Sequence, residues 1–223
     1  MREPSPFDAL ASDYDSWFEQ DGKLVFAIET QALRQLLPSL PKPWIEIGVG
    51  SGRFAQPLGI ELGLDPSIEL LRMSKGRGID CCWGTGETQP FRDESFGTAF
   101  LIVTLCFVSS PLDVLRETHR ILRGKGTVML GMVLRESPWG QFYGNKGAQG
   151  HRFYQHATFY SFEDVTALLT EAGFVCTRTI STLFQKPGQV ANSEPPQEGY
   201  HPSAGFTLIM ARKYANPRES STI

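Results

Sequence analysis

The stretch Trp44–Phe54, WIEIGVGSGRF, constrains this chain more than any other. Ile45 and Ile47 are β-branched and favour a strand, and Pro43 stops any helix ahead of them. Gly48, Gly50 and Gly52 then allow a sharp turn where side chains would collide. The reading is strand, glycine loop, helix start, which turns backbone N–H groups toward the polar or anionic end of a nucleotide-like ligand. The dinucleotide fingerprint G-x-G-x-x-G fits poorly, because Arg53 stands where its third glycine belongs.

At 223 residues the chain is long enough for one domain with a substantial core. Its net charge is −3 and its basic residues are scattered, which argues against a nucleic-acid partner. No apolar run reaches the length of a membrane span, and the opening MREPSPFDAL lacks the apolar core and cleavage pattern of a signal peptide. The expectation is a cytoplasmic protein with no membrane partner. Cys81, Cys82, Cys106 and Cys176 have neither metal-type spacing nor the density of a disulfide scaffold. They read as small buried fillers, with the adjacent Cys81 and Cys82 on opposite faces of a strand.

Strand and helix patterns alternate along the chain. Residues 7–18 place Phe7, Leu10, Tyr14, Trp17 and Phe18 near helical spacing and read as a lid helix. A helix over Leu24–Leu37 ends at Pro38, and a short one over Phe54–Leu58 follows the glycine loop. A second strand ends at Asp65, Ile68–Lys75 is helical, and Ile79–Trp83 is a third strand. Thr98–Leu105 is almost wholly apolar, as a central parallel strand buried on both faces should be. A helix from Ser110-Pro111 through Leu122 carries His119 as an ordinary packed or surface residue. A GKG turn and a fifth strand over Thr127–Leu134 follow.

Residues 135–160 break the alternation, with Trp139, Phe142, Tyr143, His151, Tyr154 and His156 among turn formers, and suit substrate-binding structure. Ser161–Asp164 resembles a capping box opening a helix to Ala172. Phe174–Thr182 and Phe206–Arg212 are the last strands, separated by a Pro- and Gly-rich loop read as a mobile second flap. The residues from Ala215 onward read as a disordered tail. The expected fold is α/β, a doubly wound, seven-stranded, mostly parallel sheet. A helical cap over residues 1–40 precedes the main domain over 41–213, with inserted loops near 135–160 and 185–204 and a flexible tail over 214–223.

With Glu46 inside the strand, E-x-G-x-G-x-G resembles motif I of the class I S-adenosylmethionine-dependent methyltransferases. The string F-D-x-x-A-x-x-Y-D-x-W from Phe7 resembles the N-terminal segment of their type 11, UbiE-like small-molecule group. GTGETQPFRDESF resembles a turn of that group through Gly84, Glu87, Pro90, Phe91, Asp93, Ser95 and Phe96, and FYSFEDVTALLTEAGF resembles its late helix. The resemblance implies a Rossmann-like fold and S-adenosylmethionine as cofactor, leaving as S-adenosylhomocysteine. It implies Glu46, Gly48, Gly50, Gly52, Asp65 and Pro66 as cofactor-binding, with Asp65 on the ribose hydroxyls. An Asp capping the helix after Pro66 is the other reading of Asp65, and the two are compatible. It also implies Thr85, Gly86 and Glu87 around the adenine, Thr85 standing where the group has an acid. Gly97 replaces an Asp and weakens one supporting contact. Thr104 and Leu105, followed by Cys106 and Phe107, are candidates for the methionine end and the transferred methyl.

S-adenosylmethionine carries its methyl on a sulfonium, so a protein holding it has mainly to align a nucleophile and exclude water. Tyr14, Trp17, Phe18, Phe107, Trp139 and Tyr154 are candidates for the lid and the acceptor pocket, and Tyr14, Trp17 and Phe107 are also candidates to hold the sulfonium by cation–π attraction. A general base is needed only if the acceptor arrives protonated, and His151, Tyr143 and His156 are its candidates. His151 and His156 lack the i, i+4 spacing of a helical metal pair, and no metal is expected. The expected activity is methyl transfer to an O, N, S or C atom of a small molecule. The alternative is a protein of the same fold that keeps the cofactor site without transfer.

Overall fold

Side chains that alternate along the central strands build two apolar cores, one on each face of a single sheet. In the computed structural model, residues 7–214 are described, so most of the expected tail lies outside them. The strands are β1 (Trp44–Ile47), β2 (Leu62–Asp65), β3 (Asp80–Trp83), β4 (Phe96–Ile102), β5 (Leu122–Met132), β6 (Phe174–Thr182), β7 (Gln197–Glu198) and β8 (Phe206–Lys213). The helices are α1 (Ala11–Trp17), α2 (Lys23–Leu36), α3 (Ala55–Leu58), α4 (Ile68–Gly76), α5 (Pro111–Ile121), α6 (Pro138–Ala148) and α7 (Phe162–Glu171). The sheet runs β3-β2-β1-β4-β5-β8-β6-β7. β1 to β5 pair parallel, and β8 lies antiparallel between β5 and β6. The order reverses between β1 and β4, where an open α/β sheet leaves a crevice at its carboxyl edge.

On β4, Phe100 and Ile102 join Ile28, Leu33 and Leu36 of α2 and Phe206 of β8 in one cluster. Ala99 and Leu101 join Val114 and Leu115 of α5 and Val165 and Leu169 of α7 in the other. Each fully buried branched or aromatic side chain contributes roughly 1.5–3 kcal/mol, and period-2 alternation lets one strand serve both faces.

The seven expected strands are all present, and β7 adds an eighth at the edge. It comes from the polar loop after β6, where Ser181 pairs with Gln197 and Ile180 with Glu198. That loop is tied down further: Gln185 accepts from the Ala191 and Asn192 amides, and Glu194 accepts from the Phe184 amide. The GKG segment is no turn between elements. It lies inside β5, where Lys125 takes φ +65° and the register with β4 shifts, as at a bulge. At Gly97 the structure shows a steric requirement in place of the weakened contact expected there. A Cβ there would come within 2.5 Å of the Pro41 carbonyl oxygen, so the backbone crossing requires glycine. The capping box forms as expected, with Ser161 Oγ accepting from Asp164 N–H and Asp164 accepting from Ser161 N–H. His119 packs edge-on against Phe174. The cysteines are less uniformly buried than expected. Cys81 and Cys82 do face opposite clusters, but on edge strand β3 both are half-buried, and Cys176 is exposed.

Candidate active site

Gly48, Gly50 and Gly52 all take positive φ, +76°, +53° and +80°, so the loop after β1 is a conformation other residues adopt only with strain. At Gly48 the constraint is doubled, since a Cβ would lie 2.3 Å from the Thr104 methyl. Asp65, at the tip of β2, accepts from Gly50 N–H on one oxygen and from Ser67 N–H on the other, both at 2.8 Å. It therefore does not cap α4. Ser67 does, accepting from Leu70 N–H. Burial pushes the Asp65 carboxyl up to about 6 despite these two amides. Glu46, inside β1, is 1% exposed and its Oε2 has no hydrogen-bond partner. Burial first, and the Asp65 charge second, push it well above the usual carboxylate range. Two buried acids beside one another repel when ionised, and a bound cation relieves that repulsion.

The lid lies over this crevice. The Tyr14 ring would stand 3.6 Å from a Cβ at Gly50. Burial, then the Asp65 and Glu46 charges, keep its hydroxyl protonated. Arg53 explains why motif I carries an arginine there: its guanidinium forks onto Asp15 of α1, Nε to Oδ1 at 2.8 Å and Nη2 to Oδ2 at 2.6 Å. Arg77 adds a bond to Asp15 Oδ2 at 2.8 Å and holds the Ser51 carbonyl at 2.7 Å. Burial works against the Asp15 charge, but these guanidiniums hold its carboxyl down at about 2. Asp8 joins the lid to α4, accepting from Ser67 Oγ at 2.6 Å.

The expected adenine turn is used structurally to a large extent. Thr85 Oγ1 meets Thr88 Oγ1 at 3.0 Å, and the two residues form a small bridge. Glu87 accepts from the Ser109 and Ser110 amides ahead of α5, so its carboxylate ties two loops together. Gly86 backs onto Val114, and the Pro66 carbonyl accepts from Trp83 Nε1. The PFRDESF phrase is held by Arg120, which reaches the Gln89 and Phe91 carbonyls, Asp93 and Glu117.

Beside the crevice lies a cavity of about 750 Å³, enclosed by the lid, α2, the end of β4 and the α6 insertion. Tyr14, Trp17, Phe18, Phe107, Trp139, Tyr143, His151 and Tyr154 all line it, so aromatics of the lid and of the insertion meet in one cavity. Trp139 Nε1 donates to the Gln185 carbonyl, and Tyr143 stacks on Tyr154 with centroids 4.3 Å apart. His151 stacks on the other side of Tyr154, and burial, Lys146 and Arg152 all lower its pKa. At the mouth, Arg152 pairs with Asp13 of the lid.

Two expected positions fall elsewhere. Leu105 is fully buried in the cluster under α5, and His156 is exposed and outside the cavity lining. The short helical turn at each place rotates neighbouring residues to different sides: Cys106 and Phe107 face the cavity while Leu105 turns inward. Val103, also on the lining, takes φ +52°, a strained state for a β-branched residue held by its amide bond to the Gly131 carbonyl.

Glu29 of α2 was not singled out from the sequence. It is 5% exposed, lines the cavity, and burial pushes its carboxyl up to about 8. The signal was there: Val25, Glu29, Ala32, Leu33 and Leu36 form one buried stripe at helical spacing, with a single charge in it.

A sheet that reverses order at a glycine loop, with an acid at the tip of the next strand, defines a nucleotide-type binding protein of the doubly wound class. Comparison with known proteins narrows the class. The family model of the type 11 methyltransferase domain matches residues 45–130. A Mycobacterium tuberculosis protein is 37% identical over 203 residues, 90% of this chain and 71% of its own length. A Methanocaldococcus jannaschii protein is 35% identical over 93% of this chain and 98% of its own length; both relatives are named only as uncharacterized proteins. The crystal structure of a Thermotoga maritima S-adenosylmethionine-dependent methyltransferase, named as a possible histamine N-methyltransferase, is similar with a TM-score of 0.87. It is 36% identical, over 93% of this chain and 98% of that one. The chain belongs to the class I S-adenosylmethionine-dependent methyltransferases, in the type 11 group; it is an enzyme, and S-adenosylmethionine is its cofactor.

Proposed function

We propose that this enzyme methylates a small molecule bound in the aromatic cavity, by in-line displacement at the cofactor sulfonium. The observation that carries the reading is the shared wall: Tyr14 stands over the glycine loop and also lines the 750 Å³ cavity, a volume suited to a small ligand. Glu46, Gly48, Gly50, Gly52, Asp65 and Thr104 hold the cofactor. Asp65 accepts from its ribose hydroxyls, and the two buried acids favour its positive charge. The unpartnered buried Glu46 oxygen fits such a group, because an orphaned polar atom is a cost that a ligand's hydrogen bond offsets, and the left-handed glycines let the loop backbone approach it closely. When bound, that cofactor supplies an activated methyl. Tyr14, Trp17, Phe18, Phe107, Trp139 and Tyr154 orient the acceptor and exclude water, with residues 7–21 as the lid.

The test is S-adenosylhomocysteine formation over a panel of small amines, phenols, thiols and carbon acids. Amines belong on it because of the name carried by the Thermotoga neighbour. Turnover with at least one small acceptor is expected. S-adenosylhomocysteine binding without turnover on any of them, but turnover on a protein or nucleic acid, overturns the reading.

A further inference from the structure

Among the described residues, Glu29 forms no hydrogen bond or ion pair, although it is 5% exposed and opens onto the acceptor cavity. A carboxyl buried in this way normally has a partner, because removal from water costs several kcal/mol. Its surroundings are aromatic, with the stacked Tyr143 and Tyr154 close enough to feel its charge. The cationic groups that line the same cavity are engaged elsewhere: Arg152 pairs with Asp13, and Lys146 lies 4.6 Å from the centre of the Phe142 ring. Neither shifts Glu29, whose carboxyl responds to burial alone. The other titratable groups on the lining are Tyr14, Cys106, Asp13, Asp21 and His151, and burial first keeps the Tyr14 hydroxyl and the Cys106 thiol protonated.

We propose that Glu29 is the specificity residue of the acceptor cavity and receives the cationic nitrogen of a small organic cation, an ammonium, amidinium or imidazolium, whose apolar body lies against Tyr143 and Tyr154. The inference rests on the cavity being the acceptor site, and it adds the substrate class. A single carboxylate among π-faces is the complement of an organic cation: the carboxylate supplies the charge pair and the rings supply cation–π attraction and apolar contact. An anionic acceptor is disfavoured at that place, and a neutral alcohol leaves the carboxyl without its charge partner.

A consequence follows for protons. With its carboxyl pushed up to about 8, Glu29 is largely protonated at pH 7 when the cavity holds no cation. Cation binding then stabilises the ionised form, so Glu29 releases a proton and affinity rises with pH up to about 8.

Isothermal titration calorimetry on the full chain tests this with phenethylamine, 2-phenylethanol and 3-phenylpropionate, three probes of similar size and different charge. S-adenosylhomocysteine is titrated in parallel. Phenethylamine is expected to bind at least tenfold more tightly than either of the others, with proton release visible as a dependence of the enthalpy on buffer ionisation. In Glu29→Gln the preference and the proton release should both disappear, while S-adenosylhomocysteine affinity is retained and reports a folded crevice. Glu29→Asp, which keeps the charge and shortens the reach, should retain part of the preference. Equal binding of the three probes, no binding of phenethylamine below about 10 mM, or a preference that survives Glu29→Gln overturns the inference. Failure of S-adenosylhomocysteine to bind the wild-type chain is a different result, which overturns the cofactor crevice assignment beneath it.

Discussion

Replacing Arg53 with alanine tests the claim that motif I of this enzyme doubles as the anchor of its lid. Arg53 donates to both Asp15 carboxylate oxygens at 2.8 and 2.6 Å and to the Asp15 carbonyl at 3.1 Å. Both side chains are mostly buried, at 15% and 17% exposure, so solvent screens the pair only in part. Its further bond to Glu19 counts for little, because Glu19 is 71% exposed. A hydrogen bond to a charged group is worth about 1.5–3 kcal/mol, and Arg77 remains on Asp15 after the substitution, so Asp15 is not left as a lone buried charge. The expected loss is about 2 kcal/mol of stability, or a fall in Tm of roughly 4–8 °C for a chain of this size.

The measurement is a double-mutant cycle of Arg53→Ala with Asp15→Ala by urea denaturation, which should give a coupling energy of about 1–2 kcal/mol. Limited proteolysis should report faster cleavage within residues 10–22 of Arg53→Ala, and S-adenosylhomocysteine affinity should fall several-fold. A coupling below about 0.5 kcal/mol, with unchanged cleavage, would refute the anchor and leave Arg53 as a surface charge.

Asp65→Ala should weaken S-adenosylhomocysteine binding by about 1–3 kcal/mol, measured by calorimetry, since ribose hydroxyls lose their acceptor. Because burial holds the Asp65 carboxyl at about 6 in the native state and unfolded Asp titrates near 4, two opposite pH trends are expected. As pH falls from about 6 to 4 the native state takes up this proton first, so the destabilisation from the buried Asp65 charge is progressively lost. Over the same range cofactor affinity drops, and a flat affinity between pH 5 and about 7 contradicts the assignment. Gly48→Ala meets the Thr104 methyl and a φ of +76° together, so it should lower stability by about 1–3 kcal/mol in denaturation and abolish detectable cofactor binding. Glu87→Ala should cost about 0.5–2 kcal/mol of stability through the Ser109 and Ser110 amides, with a smaller effect on cofactor affinity than Asp65→Ala. The reverse order would restore Glu87 to the cofactor.

Local signals in the chain carried most of the fold and half of the site. Glycine spacing, the Asp65 position, β-branched runs and the Ser161 capping box act through backbone conformation and nearest neighbours, so they are legible in one dimension. The departures arose where a distant segment set the local outcome. Gly97 is required by the Pro41 backbone passing beside it, and β7 exists because β6 offered an unpaired edge. Leu105 turned inward and Cys106 toward the cavity because a single 3-10 turn after β4 rotates successive side chains by about 120°.

By itself, then, the sequence determined that strand and helix would alternate around a glycine loop, that an acid would end the second strand, and that aromatics would crowd the lid and the insertion. Tertiary structure alone decided what those groups meet: that Arg53 reaches Asp15 across 38 positions of chain, that Glu87 accepts from the amides ahead of α5, and that Glu29 is buried on the wall of the aromatic cavity. The division has a physical cause. Backbone preference is a property of a few adjacent residues, whereas burial, charge pairing and the pKa of a carboxyl depend on whatever folding brings alongside.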